Sequence, residues 1–255
     1  MTSIGMTPGY DLTGKVVLVT GAARNIGRAI ARSLAAGGAR VMANALSSRA
    51  DLDATVAQIR TEGGDAEAHL ADVTDPAAVE GMVAATVARF GRLDALVNNA
   101  AVRAEQPFEQ LAYADWKRIT GIIVDGAFLC AKACLPHLQR AGEGVIVNIG
   151  GETGHRGAAE RAHVVTAKAA LAGFTKALAI ELAPHRITVN CVVPGRIDTS
   201  RDTVAATHAH RRGVPPLGRL GLPEEVAAMV RMLCGPDARY VTGQSIHVNG
   251  GGYLS

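Results

Sequence analysis

The chain has 255 residues, of which 48% are hydrophobic, 19% charged and only 4% aromatic, and its formal net charge is +3. So small a net charge, with dispersed basic residues and no aromatic ladder, argues against a nucleic-acid partner. The length and composition favour one soluble α/β domain with a large buried core.

Short apolar runs alternate with longer, alanine-rich amphipathic segments along the chain. In chain order, strands are predicted at 15–19, 40–44, 66–70, 95–97, 144–149, 188–192 and 245–248. Helices are predicted between them at 26–36, 49–61, 76–90, 113–139, 162–182 and 223–234. Several strands are continuously apolar, as expected of parallel strands covered on both faces. This alternation predicts a single-domain, Rossmann-type, doubly wound sheet of seven parallel strands flanked by helices.

No linker rich in proline or serine divides the chain, so residues 1–255 are interpreted as one domain. Residues 1–12 are interpreted as an N-terminal extension, because the start of the chain lacks the charged and apolar pattern of a secretory signal. The polar segment 200–220 is predicted to be a flap over a substrate cleft. An ordinary surface loop is the alternative.

The four cysteines, Cys130, Cys134, Cys191 and Cys234, form neither a disulfide framework nor a Cys-x-x-Cys pair. Cys130 and Cys134 share a helix face at i, i+4, but no neighbouring His or Cys completes a metal-ligand set, so small core residues and no metal site are predicted. No uninterrupted apolar run approaches the length of a membrane span. We therefore expect a reduced, cytoplasmic protein without a membrane partner.

A glycine-rich segment lies between the first predicted strand and the first predicted helix. A helix N-terminus there offers unpaired N–H groups and the positive end of the helix dipole, which suit a pyrophosphate. Glycine lets the backbone turn tightly and approach the phosphates closely. The segment therefore predicts a phosphate-binding loop whose contacts are Gly21, Arg24, Asn25, Ile26 and Gly27.

Several motifs resemble those of the short-chain dehydrogenase/reductase family, and they occur in the family's order. The segment 21–27 resembles the Gly-x-x-x-Gly-x-Gly loop, with Asn25 in place of the middle glycine, which asparagine can replace because it tolerates left-handed backbone angles. Similar motifs follow at Asn98-Asn99-Ala100, Lys168, Pro194-Gly195-Arg196-Ile197-Asp198-Thr199, Tyr240–Gln244 and Val248–Gly251. The resemblance covers nearly the whole chain and is closest to reductases of the 3-oxoacyl-(acyl carrier protein) type.

The resemblance implies a nicotinamide nucleotide, held by residues beyond the phosphate loop. The implied contacts are Asp72, Val73, Asn99, Lys168, Pro194, Gly195, Ile197 and Thr199.

The choice of nucleotide is predicted from the segment after the second strand. Members that prefer NAD carry an acidic residue there for the adenosine ribose, whereas this chain has no carboxylate before Asp51. Arg24, Ser47 and Ser48 are predicted to receive a 2′-phosphate, so NADP(H) is favoured over NAD(H). Arg49 is a further candidate for this contact, or else a solvated charge at the start of the helix. In the alternative interpretation, Arg24 only neutralises the pyrophosphate.

The resemblance also implies that the family's proton relay is incomplete. That relay joins a tyrosine, a lysine one helical turn later, a serine and an asparagine. Counted from Lys168, the tyrosine position is Val164 and the serine position is Gly151, and the asparagine position is Ile123. Only Lys168 of the four is retained, as a ribose anchor and electrostatic support.

Polar residues after the fifth strand are candidates for replacing the missing acid, with a solvated loop as the alternative. Glu152 and His155 lie on the segment that borders the substrate in the family. His163 adjoins the tyrosine position and titrates near neutrality, although helical neighbours point about 100° apart. The candidate catalytic residues are therefore Lys168, His155, His163 and Glu152. Arg103 is interpreted either as a contact for an anionic substrate group or as a surface charge.

These patterns predict an atypical NAD(P)(H)-dependent oxidoreductase. It would transfer a hydride to or from a small imine, activated C=C or carbonyl compound without the usual tyrosine. Two alternatives remain open: a non-redox cyclase, isomerase or lyase on the same scaffold, and a cofactor-binding pseudoenzyme. The resemblance further implies a homotetramer or homodimer, built through the long fourth and fifth helices and the C-terminal strand.

Overall fold

The computed structural model describes residues 11–199 and 214–254, which form a seven-stranded parallel sheet between layers of helices. The strands are β1 (Val16–Val19), β2 (Arg40–Ala45), β3 (Asp65–Leu70), β4 (Ala95–Asn98), β5 (Val145–Ile149), β6 (Thr188–Pro194) and β7 (Ser245–Val248). Their order in the sheet is β3-β2-β1-β4-β5-β6-β7. The predicted doubly wound sheet is confirmed. β6 continues two residues beyond its predicted end because Val193 and Pro194 pair with β7.

The helices follow the strands in regular alternation. They are α1 (Asn25–Ala36), α2 (Arg49–Thr61), α3 (Pro76–Phe90), α4 (Tyr113–Thr120), α5 (Gly126–Ala141), α6 (Thr153–Arg156), α7 (Ala162–Leu182) and α8 (Pro223–Cys234). Two features differ from the predictions. The helix predicted over 113–139 is interrupted by a π-helical turn, Gly121–Asp125, and the short helix α6 lies in a segment interpreted as loop. The predicted extension 1–12 and flap 200–220 fall largely outside the described residues.

The chain reverses its direction across the sheet between β1 and β4. β1, β2 and β3 run outward to one edge, and the chain then returns to place β4 on the other side of β1. Ligands of such sheets bind in the crevice at the carboxyl ends of the strands, at this switch point. Gly21 follows β1 and Asn99 follows β4, so both lie at that crevice.

Side chains of each strand alternate between two apolar layers. Val17 and Val19 pack on the side of α1 and α8, in a core that includes Ile30 and Val230. The alternate residues Val16, Leu18 and Leu96 face α3 and α5 and pack with Met82, Cys130, Cys134 and Leu138. The four cysteines are buried free thiols, and burial raises the pKa of Cys130 and of Cys234 to about 12.

The continuous helical stretch Tyr113–Ala141 is long and apolar enough to cross a membrane by length and composition alone. The sequence-based expectation did not anticipate such a stretch. Its apolar residues have a different explanation in this fold, because Cys130, Cys134 and Leu138 are fully buried against the sheet and α3. A core helix of a globular protein meets the same criterion, so the stretch is weak support for a membrane segment.

A buried carboxylate joins the N-terminal ends of β1 and β4. Asp94 is 2% exposed and accepts a hydrogen bond from the Val16 backbone N–H at 2.9 Å. The Arg92 guanidinium donates two further hydrogen bonds to it, at 2.8 and 2.6 Å. A buried carboxylate costs free energy unless it is paired and hydrogen-bonded, and here both oxygens have donors.

We expect Asp94→Ala to lower the free energy of unfolding by about 3 kcal/mol, because it leaves the buried Val16 N–H without an acceptor and Arg92 without its partner. The measurement is urea-induced unfolding. The control is Glu62→Ala, which removes the exposed ion pair with Arg32 and should cost about 0.5 kcal/mol or less. Equal effects of the two substitutions would contradict this account of Asp94.

Candidate nucleotide and active site

The phosphate loop has a backbone that leaves the N-terminus of α1 open. α1 begins at Asn25, and its N-cap Arg24 is extended and makes no side-chain capping hydrogen bond. The first N–H groups of the helix are therefore available to an anionic ligand. Asn25 has φ 48°, in the left-handed region that asparagine tolerates better than most residues. The predicted replacement of a glycine by Asn25 is thus compatible with the turn.

The loop is packed tightly against the residues that follow β4. A Cβ at Gly27 would lie 2.1 Å from the carbonyl oxygen of Gly21, so only glycine fits there. The Asn99 side-chain amide donates hydrogen bonds to the carbonyls of Thr20 and Gly21, at 2.9 and 3.0 Å. These contacts fix the loop without a ligand, and its backbone fits the pyrophosphate of a dinucleotide.

The adenine side of the crevice is built around a buried amide. Asn44 is 1% exposed and donates to the carbonyl of Ala71 at 3.1 Å. Asp72 follows Ala71, and its carboxylate accepts hydrogen bonds from the N–H and hydroxyl of Thr74, at 2.8 and 2.7 Å. Val73 is 6% exposed. Asp72 thus shapes a turn at the predicted adenine contact, and its contact with adenine stays a prediction.

Arg24 and Ser48, which were predicted to receive a 2′-phosphate, lie together. Arg24 Nη2 donates to the Ser48 hydroxyl at 3.2 Å, and Ser47 precedes Ser48 in the turn before α2. The guanidinium also forms a short, charge-assisted contact with the carboxylate of Asp51, in the first turn of α2. Asp51 is the first carboxylate after the second strand, and its contact with Arg24 was not predicted.

Lys168 projects from α7 towards the end of β5. The residue as a whole is partly buried, but its ammonium end is enclosed, and Nζ donates to the Ile149 carbonyl at 2.6 Å. This burial lowers the pKa of Lys168 from 10.5 to about 8, and the neighbouring Cys191 opposes the shift. A Cβ at Gly151 would lie 3.6 Å from Lys168 Cγ, so Gly151 and the lysine stem are neighbours.

Val164 and Ile123 belong to one apolar cluster. Val164 lies one helical turn before Lys168, and Ile123 lies in the π-helical turn. Both are buried, with Ile119, Ala127, Ala167 and Leu171, and with Val102 and Ala104 at the edge of the cluster. None of these side chains ionises or donates a hydrogen bond. The surroundings of Lys168 on this side are therefore apolar.

Glu152 is buried beside the segment that follows β6. Its carboxylate pairs with Arg156 Nε at 2.5 Å, and its other oxygen has no hydrogen-bond partner among the described residues. That oxygen lies 2.7 and 2.8 Å from the positions of a Cβ on Gly195 and on Gly252. The carboxylate of Glu152 therefore fits only because Gly195 and Gly252 have no side chain.

His155 lies in α6, and its ring contacts two other aromatic rings. Its ring is centred 4.7 Å from that of His247 in β7 and 5.8 Å from that of Tyr253. Burial and the charge of His155 lower the pKa of His247, while Glu152 opposes this shift. His247 was not predicted to join this group. Ile246 and Val248 pack into the core on one face of β7, so alternation places His247 on the other.

His163 and Arg161 lie at the N-terminus of α7. His163 is 1% exposed, and its Nδ1 has no hydrogen-bond partner in the part of the chain that the structure describes. Arg161 forms a largely buried ion pair with Glu105, in the segment after β4. A backbone hydrogen bond of 2.7 Å from Gln106 to Glu160 joins the same two segments. These two contacts form a clasp between the segment after β4 and the start of α7, which was not predicted.

The segment after β6 is held by backbone contacts with the end of β7 and with Gly221. The N–H of Gly195 donates to the Val248 carbonyl at 2.9 Å, and that of Asp198 donates to the Gly221 carbonyl at 2.7 Å. Ile197 forms a bridge with Gly221. Pro194, Gly195, Ile197 and Thr199 thus lie at the carboxyl end of β6, where the resemblance places the nicotinamide contacts.

This fold and this crevice define an α/β protein of the dinucleotide-binding class. Residues 21–252 match a family model described as enoyl-(acyl carrier protein) reductase. A 3-oxoacyl-(acyl carrier protein) reductase from Synechocystis is 39% identical over 94% of this chain and 97% of its own length. FabG from Escherichia coli, with the same description, is 39% identical over 96% and 99%.

Solved structures show the same relationship. A dehydrogenase/reductase from Sinorhizobium meliloti superposes with a TM-score of 0.91 at 35% identity, covering 96% of this chain and 98% of its own. A short-chain dehydrogenase/reductase variant from Serratia marcescens gives 0.88 at 36% identity, covering 95% and 99%. The chain belongs to the short-chain dehydrogenase/reductase family and is an oxidoreductase of that family.

We expect the stability of the wild type, relative to Lys168→Met, to rise between about pH 8 and pH 10.5. In this interval the unfolded chain binds more protons than the folded protein, because the folded-state pKa of Lys168 is lowered from 10.5 to about 8. The full change is about 3 kcal/mol, at 1.36 kcal/mol for each pH unit. Urea unfolding at several pH values measures it.

The control is Lys117→Met, which removes an exposed lysine on α4. The comparison shows whether the loss of any lysine produces the pH dependence expected for Lys168→Met. A difference between wild type and Lys168→Met that is constant with pH would contradict the enclosed position of Nζ.

Proposed function

We infer that this protein is an oxidoreductase that favours NADP(H). Its preferred substrates are compounds that do not have to be protonated by the enzyme during hydride transfer. The nicotinamide, when bound, supplies or accepts the hydride. Small iminium ions and conjugated C=C compounds have this property, and carbonyl compounds stay in the proposal as poor substrates. The protein would be a cytoplasmic homotetramer or homodimer, as the resemblance implies.

The apolar cluster around Val164 and Ile123 carries this proposal. Reduction of a ketone creates an alkoxide, and a positioned general acid contributes about 10²–10⁴-fold to such a step. Val164 and Gly151 offer no hydroxyl at the two positions where the family places its tyrosine and serine. Hydride addition to an iminium ion yields a neutral amine and needs no acid. The absence of the two hydroxyls therefore lowers the rate of ketone reduction more than the rate of iminium reduction.

Conjugated C=C compounds are the second proposed class of substrate. Hydride addition at the β carbon gives an enolate, whose protonation at the α carbon is a separate step that solvent can perform. The family model that matches residues 21–252 is described as an enoyl reductase, a name that denotes C=C reduction. The relatives named 3-oxoacyl reductases act by name on carbonyl groups, so the names alone do not decide between the two bond types.

Lys168 is proposed to bind the nicotinamide ribose, with the pyrophosphate on Gly21, Asn25, Ile26 and Gly27. Its ammonium group must leave the Ile149 carbonyl, or share its protons between the two acceptors, to do so. A lysine carries three donors, so both contacts can coexist.

The three remaining candidates differ in how well they are placed as acids. Glu152 pairs with Arg156 and lies close to Gly195, and the ring of His155 makes an edge-to-face contact with that of His247. His163 is enclosed at the start of α7. Of these, Glu152 and His155 lie in the segment after Gly151, and we keep them as the proposed proton source for carbonyl substrates.

The homo-oligomer is proposed from apolar residues that the single chain leaves uncovered. Phe128 on α5 is 46% exposed and Ile180 on α7 is 82% exposed. β7 is an edge strand whose residues are all only partly buried. Large exposed apolar side chains and a free strand edge are features that subunit contacts cover.

We expect NADPH oxidation with a cyclic iminium ion or a conjugated enone to exceed that with a ketone of the same size by at least about 10²-fold in kcat/KM. Steady-state absorbance measurements with isosteric substrates test this. Tight nucleotide binding without turnover of any class would instead favour a pseudoenzyme. Turnover that persists after removal of all nucleotide would favour a non-redox enzyme.

We expect the double variant Gly151→Ser/Val164→Tyr to gain about 10²-fold in kcat/KM for the ketone. A serine fits, because a Cβ at Gly151 meets Lys168 at an ordinary contact distance of 3.6 Å. The matched control, Gly151→Ser/Val164→Phe, adds the same ring without the hydroxyl and should show no gain. Thermal unfolding of both variants verifies that each is folded. Equal ketone activity in the two would contradict the role assigned to the missing hydroxyl.

A further inference from the structure

The turn that was predicted to receive a 2′-phosphate contains an acidic residue of its own. Arg24 supplies the guanidinium there, and its donors contact both the Ser48 hydroxyl and the Asp51 carboxylate. Asp51 thus occupies donors that a phosphate would use. It also places a negative charge beside any anion bound by Arg24 and Ser48.

The scaffold holds Asp51 against the phosphate loop. Arg28 of α1 donates to the carbonyl of Ala23 at 2.8 Å and to the Thr55 hydroxyl at 3.0 Å. Thr55 is fully buried on α2, and its hydroxyl also donates to the backbone carbonyl of Asp51 at 3.0 Å. These bonds join the first turn of α2 to the loop. The backbone of Asp51 is therefore held next to the loop that carries Arg24.

The pair itself contributes little to folding. The side chains of Arg24 and Asp51 are 42% and 38% exposed, and an ion pair so exposed stabilises a protein by about 1 kcal/mol or less. Asp51 also lies in the first turn of α2, where the helix dipole favours a carboxylate without Arg24. The carboxylate of Asp51 repels a second anion in the same turn. Once a phosphate dianion is present, this repulsion is larger than the stabilisation from the Arg24–Asp51 pair.

We propose that Asp51 is a specificity-determining residue: it competes with the 2′-phosphate for Arg24 and so restricts the preference for NADP(H) over NAD(H). This inference rests on the proposed nucleotide binding. NAD(H) has a 2′-hydroxyl, which neither needs Arg24 nor is repelled by Asp51. Asp51 therefore lowers the affinity for NADP(H) and leaves that for NAD(H) nearly unchanged, and the chain accepts both nucleotides.

The test is calorimetric binding of NADPH, NADH, 2′,5′-ADP and 5′-AMP to the wild type and to Asp51→Asn. We expect Asp51→Asn to bind NADPH and 2′,5′-ADP about tenfold more tightly, with NADH and 5′-AMP within about twofold of the wild type. The adenosine phosphates lack a nicotinamide, so this readout does not depend on turnover. The gain should shrink as salt is added, because both charges are exposed.

The matched control is Asp53→Asn. Asp53 lies in the same helix and pairs with Arg49 at 2.8 Å, so the substitution removes the same charge two residues away. It should leave all four affinities within about twofold, since Asp53 pairs with Arg49 and Asp51 is the carboxylate that pairs with Arg24. The variant Arg24→Ala/Asp51→Asn should lose the gain of Asp51→Asn, which assigns the effect to Arg24.

Two different failures are distinguishable. If the wild type binds neither NADPH nor NADH, the proposed function fails and this inference fails with it. If the wild type binds both nucleotides but Asp51→Asn leaves their affinity ratio unchanged, or Asp53→Asn changes it equally, the role of Asp51 alone is overturned.

Discussion

The contact between Gly27 and the Gly21 carbonyl is the constraint on which the nucleotide crevice depends. A side chain at Gly27 would lie 2.1 Å from that oxygen and 2.6 Å from the Asn99 amide. Asn99 in turn bonds the carbonyls at the end of β1, so the loop, α1 and the end of β4 form one rigid unit. An anion can then bind to N–H groups that are already in position, without paying to order the loop.

Beside Lys168 lies a second region, the apolar cluster that contains Val164 and Ile123. The π-helical turn Gly121–Asp125 brings Ile123 into the cluster with Val164, and π turns frequently occur at functional sites. Here the turn contributes the apolar side chain of Ile123 to the cluster. Nucleotide binding depends on the backbone of the loop, whereas proton transfer depends on individual side chains. Substitutions can therefore remove the second property and leave the first.

The sequence predicts what depends on local pattern and fails where distant segments meet. Strand and helix bounds follow from periodicity and agree with the structure to within about two residues over most of the described chain. The π-helical turn and α6 were not predicted, because each depends on how a short segment packs. Three further contacts were not predicted, because each joins residues far apart in sequence. They are the Arg24–Asp51 pair, the Arg161–Glu105 clasp and the edge-to-face contact of His155 with His247.

Lys168 lies on the same helix as Val164 of the apolar cluster, and burying its ammonium group costs free energy. Burial lowers its pKa to about 8, so at neutral pH the folded protein must hold a desolvated ammonium group. Within the described residues, this ammonium group donates one hydrogen bond, to the Ile149 carbonyl, and a lysine has three donors. An apolar side chain of similar length would fill the same space beside Gly151 without that penalty. The proposed binding of the nicotinamide ribose would give the remaining donors of Lys168 acceptors, and it would account for a lysine at a position where its burial costs free energy.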